Sequence, residues 1–262
     1  MEPSKLVIDN VATHIKGTKV LTQISFLAAS SEVTVILGVN GVGKTTLFRS
    51  IAGILPIDSG SVRLDDVDIL ALSTKERAKL IAYGVQNTGG DVEASVIEFV
   101  MSGVTPYLHL FEYGNAQHYK QAEEALEQFD ISHLSRRSLQ SISGGERQRV
   151  YLARSYVQNT KVMLLDEPTT YLDFKAQNLF LDSFTKFVKE KNKIAILSMQ
   201  DPNLALKYAD RIVCLSKGTI LDVLMPHKEH FRAEGERCFK ALYGAHAGLF
   251  FDGDYYVKWS NR

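Results

Sequence analysis

The sequence predicts an α/β fold with a mostly parallel central sheet. Short apolar, β-branched runs alternate with stretches of helical periodicity, and one such run, Val33–Leu37, leads directly into a glycine-rich loop and a helical segment. Strand-like runs stop between residue 95 and about residue 158, where the amphipathic pattern over residues 119–129 predicts an inserted helical part. The strand-like runs cover residues 5–11, 33–37, 61–64, 162–165, 194–197 and 211–215.

These elements predict one large domain for the 262 residues. A core over residues 1–87 and 159–224 is interrupted by the helical part over residues 88–158, and a small extension follows over residues 225–262. Lys217 and Gly218 lie between two strand-like runs and predict an antiparallel hairpin. The aromatic residues between positions 250 and 256 predict a small appended β element.

Composition excludes several function classes. The formal net charge is zero, which weighs against a dedicated nucleic-acid binder. No apolar run approaches the ~20 residues that a membrane span needs, and the N-terminus lacks the basic-then-apolar pattern of a signal peptide, so we expect a cytosolic chain. Cys214 and Cys238 lack metal-ligand spacing and are interpreted as reduced thiols, with Cys214 buried in a strand.

The glycine-rich loop over residues 38–46 fits the pattern of a phosphate-binding P-loop, which predicts a nucleoside triphosphate with magnesium as the ligand. Lys44 is expected to bridge the β- and γ-phosphates, Thr45 to place its hydroxyl on magnesium and Thr46 to reach the α-phosphate. The following helix presents the positive end of its dipole to the same phosphates. The remaining predicted phosphate contacts come from Asn40, Gly41 and Gly43.

A second phosphate-site signal follows the apolar run over residues 162–165. Asp166 and Glu167 stand at the end of this strand, where one carboxylate can face magnesium and the other the attacking water. Asp166 is expected to hold the ion through water, and Glu167 to orient or deprotonate the nucleophile.

A third motif lies between these two, over residues 141–149. Ser143 and Glu146 form a capping box, and Gly144 and Gly145 allow close approach to the exposed N-terminus of the helix that follows. The motif predicts a second anion site.

Taken together, the three motifs resemble those of the ATP-binding subunits of ABC transporters, whose signature loop reads Leu-Ser-Gly-Gly-Gln or a close variant; here Ile142 begins it and Glu146 ends it. The resemblance covers roughly residues 5–225. It implies a P-loop NTPase, RecA-like core with a mostly parallel sheet, an antiparallel β element and an inserted helical subdomain, binding ATP and Mg2+. It also implies a head-to-tail dimer in which Ser143 and Gly145 of one copy cap the γ-phosphate held by Lys44 of the other.

The resemblance assigns further residues one by one. Gln86 matches the glutamine that senses magnesium and the γ-phosphate, and Asp173 matches the residue that couples the two sites across the dimer. Gln200 stands where the family has a histidine that hydrogen-bonds the γ-phosphate. A glutamine amide can donate a hydrogen bond but carries no positive charge, so we hypothesise slow hydrolysis. In the alternative, other contacts compensate for the change.

The adenine contact also departs from the family pattern. Ile15 stands where the family offers an aromatic ring for stacking, which predicts loose base selectivity. A shift of one residue would place His14 there instead.

Within the family, the chain is similar to the importers of iron-siderophore complexes, haem and cobalamin, through residues 72–83, 105–107, 167–173 and 201–205. This similarity implies a motor subunit peripheral to the cytoplasmic face of the membrane. Thr105, Pro106 and Tyr107 would line a groove that receives a helix of a polytopic permease. Further implied partners are a second ATP-binding subunit, by preference an identical copy, and indirectly an extracellular or periplasmic substrate-binding protein. The alternatives are a soluble ABC-type ATPase acting on nucleic acid or ribosomes, and a nucleotide-gated regulatory module with little turnover.

Overall fold

The computed structural model describes residues 3–85, 93–109, 114–170, 172–228 and 231–259. In chain order the strands and α-helices are β1 (Lys5–Ile15), β2 (Thr18–Ala29), β3 (Val33–Leu37), α1 (Lys44–Ile51), β4 (Ser59–Leu64), β5 (Val67–Asp68), α2 (Thr74–Leu80), β6 (Ile81–Val85), α3 (Val96–Met101), α4 (Ala116–Gln128), α5 (Gly144–Gln158), β7 (Val162–Asp166), α6 (Phe174–Glu190), β8 (Ile194–Met199), α7 (Pro202–Tyr208), β9 (Arg211–Ser216), β10 (Thr219–Leu224), α8 (Phe231–Tyr243), β11 (Ala247–Asp252) and β12 (Asp254–Trp259).

The central sheet has six strands in the order β10-β9-β3-β8-β7-β6. All neighbours pair in parallel except β9 and β10, which form the hairpin predicted at Lys217 and Gly218. Alternate residues of β3 enter two different cores: Val33, Val35 and Leu37 face the side covered by α3–α8, and Ile36 faces α1 and the second sheet. The predicted α/β class with a mostly parallel sheet is confirmed.

The second sheet is antiparallel, in the order β2-β1-β4-β5. The apolar runs over residues 5–11 and 61–64, which were grouped with the parallel strands by sequence, belong here. Lys16 and Gly17 both have positive φ, of 49° and 79°, and close a two-residue turn between β1 and β2. Such a turn joins antiparallel strands, whereas parallel strands require a long crossover.

The helical part contains α3, α4 and α5, and its interior is formed by apolar side chains. Helix α4 begins three residues before the predicted segment, because Asn115 caps its first turn through hydrogen bonds from the Gln117 and His118 amides, and its last residue is one before the predicted end. Ala122, Ala125 and Leu126 bury the face that the amphipathic pattern predicted. Within the described ranges, no helix combines the length and the apolar character that crossing a bilayer requires.

The C-terminal region consists of α8 and the β11–β12 hairpin. The β element was predicted, but α8 was not, although Phe231, Gly235, Cys238 and Phe239 recur at helical spacing and are buried. Gly235 weakens the helical signal, since glycine has low helix propensity. Cys214 of β9 and Cys238 are buried free thiols, as expected.

Candidate functional site

The loop between β3 and α1 has a backbone that depends on glycine. Gly41 and Gly43 have φ values of 78° and 109°, in a region that residues with a Cβ rarely adopt. A Cβ at Gly43 would also lie 3.0 Å from Leu21 Cδ2. Because Gly43 caps α1, the loop passes directly into the helix N-terminus, where the first-turn amides have no intrahelical acceptor.

Lys44, the first residue of α1, is held inside this loop with only 4% of its side chain exposed. Its Nζ donates to the Gly38 carbonyl at 2.8 Å and to the Val39 carbonyl at 3.1 Å. The same nitrogen lies 3.2 Å from Glu167 Oε1. The loop therefore contains a buried ammonium group, and two carbonyl oxygens and a carboxylate compensate its positive charge.

Glu167 follows β7, and its carboxylate contacts three donor side chains. In addition to the ion pair with Lys44, its Oε2 accepts hydrogen bonds from Gln200 Nε2 at 2.8 Å and from Thr170 Oγ1 at 3.2 Å. Its φ of 50° turns the chain away from the strand direction. The carboxylate is thus oriented toward the loop between β3 and α1.

Asp166, the last residue of β7, is buried, and its Oδ1 accepts a hydrogen bond of 2.6 Å from Ser198 Oγ. Burial raises the pKa of the neighbouring Tyr83 hydroxyl to about 12, and the negative charge of Asp166 acts in the same direction. Thr45, one residue after Lys44, is exposed in the first turn of α1. A carboxylate and a hydroxyl are hard oxygen donors that fit Mg2+, which keeps several waters and binds phosphates alongside one or two carboxylates.

Ser143, Gly145 and Asp173 form a second group, at the N-termini of α5 and α6. Ser143 Oγ accepts from the Glu146 amide at 3.3 Å, and the Ser143 amide donates to Glu146 Oε2 at 2.8 Å, so the predicted capping box is present. The Ser143 hydroxyl also donates to Glu146 Oε2 at 2.7 Å, and this hydrogen bond, together with the one from the Ser143 amide, lowers the pKa of the Glu146 carboxyl. Asp173 caps α6 by accepting from the Ala176 amide at 2.8 Å. A Cβ at Gly145 would lie 3.8 Å from Ala176 Cβ, so the two helix starts are in contact.

Ile15 lies at a third place, at the end of β1, with 38% of its side chain exposed. It follows two residues after the buried Thr13, whose hydroxyl lies 3.2 Å from that of Ser50 in α1. The His14 ring is already engaged, because Asp58 Oδ2 lies 2.9 Å from His14 Nδ1 and 2.7 Å from its amide. The hydrogen bond from the ring lowers the pKa of Asp58.

The predicted residues therefore separate into groups. Lys44, Glu167 and Gln200 make direct contact, and Asp166 joins them through Ser198. Asn40 and Thr45 are exposed, and Thr46 is half-buried, on the loop and first turn beside Lys44; Gln86 lies outside the described residues. Ser198 and Thr170 were missed; a polar residue near the end of the otherwise apolar β8 was the available signal for Ser198.

Comparison with known proteins agrees with this geometry. The family model described as "ABC transporter" matches residues 21–170. The "Probable iron chelatin transport ATP-binding protein" of Helicobacter pylori is 37% identical over 80% of this chain and 83% of its own length. The "Hemin import ATP-binding protein HmuV" of Hahella chejuensis is 36% identical over 77% and 79%, respectively.

Among solved structures, a chain of a metal-chelate type ABC transporter in an inward-facing conformation superposes with a TM-score of 0.82. It is 22% identical and covers 99% of this chain and 97% of its own, and this likeness supports the fold. The family match and the relatives show more: this chain belongs to the ABC transporter family, whose ATP-binding subunits couple ATP hydrolysis to transport.

Proposed function

We propose that this chain is the ATP-hydrolysing motor subunit of an importer for an iron chelate, a siderophore complex, haem or a cobalamin-type compound. The observation that carries the hydrolytic part is the contact of Lys44, Glu167 and Gln200 at the loop between β3 and α1. The names of the relatives, which refer to iron chelatin and hemin, support the substrate class.

In this proposal the phosphates of ATP replace part of the compensation that Lys44 now receives from Gly38, Val39 and Glu167. Thr45 and Asp166 would hold Mg2+, which would supply positive charge to offset that of the phosphate oxygens. Glu167, released from Lys44, orients or deprotonates the attacking water. The Gln200 amide donates a hydrogen bond to Glu167 or to the γ-phosphate. Because it carries no positive charge, hydrolysis is slower than with a histidine at this position.

A second copy of the chain completes the site in this proposal. Ser143 and Gly145 lie at an exposed helix start, where free amides and the helix dipole favour an anion. The anion in question is the γ-phosphate held by Lys44 of the other copy. Asp173, at the adjoining start of α6, then lies at the contact between the copies, and Gln86 senses magnesium and the γ-phosphate.

A matched pair of serines tests this dimer. Ser73 caps α2 with the same reciprocal box to Glu76 that Ser143 makes with Glu146. Either serine replaced by alanine loses a helix cap that contributes about 1 kcal/mol. We expect Ser143→Ala to lower ATP turnover about 10-fold or more and to abolish ATP-dependent dimerisation in size-exclusion chromatography, and Ser73→Ala to change neither. Equal effects of the two variants would show that Ser143 acts as a helix cap alone, and would contradict a site shared between two copies.

The permease contact is assigned to the surface around the 3-10 segment Ser102–Tyr107. Tyr107 is exposed, its hydroxyl donates to the Gln158 carbonyl at 2.8 Å, and Lys79 Nζ lies 5.7 Å from the ring centroid. The ammonium group of Lys79 beside this ring favours an acidic residue on the permease helix. The chain would lie at the cytoplasmic face of the membrane through this contact, with the substrate-binding protein on the far side.

Pull-down from detergent-solubilised membranes tests the importer assignment. We expect a polytopic membrane protein to co-purify, Lys79→Glu to reduce its recovery, and Lys186→Glu, the same charge reversal on α6, to leave recovery unchanged. Stimulation of turnover by RNA or DNA, with no membrane protein recovered, would instead favour the soluble ATPase alternative.

A further inference from the structure

Ser198 is a polar residue in an apolar strand. It is the fifth residue of β8, which is buried along its whole length, and none of its surface is exposed. We propose that Ser198 is a positioning residue for hydrolysis, whose single hydroxyl orients both Asp166 and Glu167. This inference rests on the proposed function, since it assigns Asp166 to the magnesium ion and Glu167 to the attacking water.

The hydroxyl of Ser198 uses its donor and an acceptor at the same time. Its Oγ donates to Asp166 Oδ1 at 2.6 Å and accepts from the Glu167 amide at 2.7 Å. The first distance is typical of a hydrogen bond to a charged carboxylate in a buried setting. A hydroxyl is the smallest side-chain group that can do both, because it has one donor and two lone pairs.

The main-chain ladder between β7 and β8 does not extend to Glu167. The parallel ladder between β7 and β8 ends at the pair Leu165 and Leu197. Glu167 then adopts a φ of 50°, and its amide donates to the Ser198 side chain instead of to a main-chain carbonyl of the neighbouring strand. A left-handed conformation is unfavourable for a residue with a Cβ and persists where surrounding contacts over-determine it. Ser198 supplies one of those contacts.

Both hydrogen bonds bear on the proposed chemistry. The bond at Asp166 Oδ1 restricts rotation of the carboxylate assigned to magnesium. The bond at the Glu167 amide holds the main chain from which that side chain reaches Lys44 and Gln200. Partners of this kind, one step removed from a metal or a reacting group, commonly affect metal affinity or activity ~10–100-fold when they are removed.

An isosteric pair of variants separates this role from mere filling of space. Ser198→Thr adds a methyl group and keeps the hydroxyl, whereas Ser198→Val adds nearly the same volume without the hydroxyl. Turnover and fluorescent-ATP binding are measured at increasing Mg2+. We expect Ser198→Val to lower kcat about 10-fold or more and to raise the Mg2+ concentration for half-maximal activity, with metal-free nucleotide affinity unchanged. Ser198→Thr should retain kcat within about 3-fold and the wild-type Mg2+ requirement.

A third variant keeps the test valid if the variants with larger side chains do not fold. Ser198→Ala removes the hydroxyl without added volume, and Ser155→Ala is its control. Ser155 is likewise buried, but its hydroxyl donates within its own helix α5, to the Tyr151 carbonyl at 3.0 Å. We expect Ser198→Ala to reproduce the loss of kcat and the higher Mg2+ requirement, and Ser155→Ala to show neither.

The inference is overturned if Val and Thr at position 198 give the same kcat and the same Mg2+ requirement, or if Ser198→Ala matches Ser155→Ala. A wild-type chain that binds ATP without hydrolysing it would contradict the proposed hydrolysis but not the orientation of Asp166 by Ser198. In that case the Mg2+ dependence of ATP binding still tests the inference. The Val and Ala variants should require more Mg2+ than the wild type to bind ATP, and the Thr variant should not.

Discussion

The phosphate end and the base end of the proposed nucleotide site are constructed in different ways. At the phosphate end, Lys44 is 4% exposed and lies within 3.2 Å of three oxygens, and Glu167 receives hydrogen bonds or charge from three side chains. At the base end, Ile15 is 38% exposed and aliphatic. The neighbouring His14 ring is occupied by Asp58.

This difference indicates which part of the ligand each end can recognise. Buried, charge-assisted contacts are strong and orientation-dependent, so the phosphate end is suited to hold and activate one chemical group. A half-exposed aliphatic side chain offers area but no stacking platform and no donor that distinguishes bases. We therefore expect affinity and rate to depend on the phosphate end, and the base end to contribute little selectivity. Three predictions, in order of decreasing effect, test the contrast.

The largest effect is expected from Glu167→Gln. The amide keeps the size of the side chain but can neither accept a proton from water nor pair electrostatically with Lys44, so turnover should fall about 10²–10⁴-fold. ATP binding, followed with a fluorescent analogue, should be retained. Glu190→Gln is the matched control, because Glu190 pairs with Lys186 on the surface of α6, at 3.8 Å. A decrease of only a few-fold would place activation of the water elsewhere.

A smaller effect, of opposite sign, is expected from Gln200→His. The imidazole can donate a charged hydrogen bond to the γ-phosphate, so turnover at saturating ATP should increase about 10-fold or more. The variant should also acquire a pH dependence near the ordinary histidine pKa of ~6.5, with the charged contact present below it and lost above it. The glutamine of the natural chain does not titrate. Equal turnover of the two proteins at every pH would contradict slow hydrolysis and favour compensation by other contacts.

The smallest effect is expected at the base end. GTP should compete with ATP nearly as well as ATP itself, and Ile15→Tyr should raise the affinity for both nucleotides about 5-fold, since either base can stack on an aromatic ring and such stacking contributes ~1–3 kcal/mol. Competition binding with the two nucleotides measures this. Ile54→Tyr, at another exposed isoleucine, is the control. A strong preference for ATP in the natural chain would show that the base end is more selective than Ile15 suggests.

Local motifs explain how much of this site could be predicted. Gly41, Gly43 and Lys44 follow one another in the chain, and their conformations depend on near neighbours. The capping box of Ser143 is equally local, since its partner is three residues away. Such features can be recognised in a sequence because the physical cause and the residues that express it lie within one turn.

Non-local contacts explain what was missed. The Ser198 hydroxyl reaches Asp166 and Glu167 across 32 and 31 residues of sequence, and the Tyr243 hydroxyl of the unpredicted α8 donates to the Gln200 carbonyl across 43 residues. Serine in a strand and tyrosine in an amphipathic helix are common, so neither residue type indicates its partner. The antiparallel pairing of β1 and β4 is a similar case, because strand pattern does not specify the neighbour.

By itself, the sequence determined the α/β class, the phosphate-binding loop, the two carboxylates after β7 and the capped start of α5, since each depends on periodicity or on residues close together in the chain. Tertiary structure alone decided that Gln200 and Lys44 meet at Glu167 and that Ser198 links Glu167 to Asp166. Parallel strands bring their carboxyl ends to one edge of the sheet. Only that edge brings such distant side chains within hydrogen-bond distance.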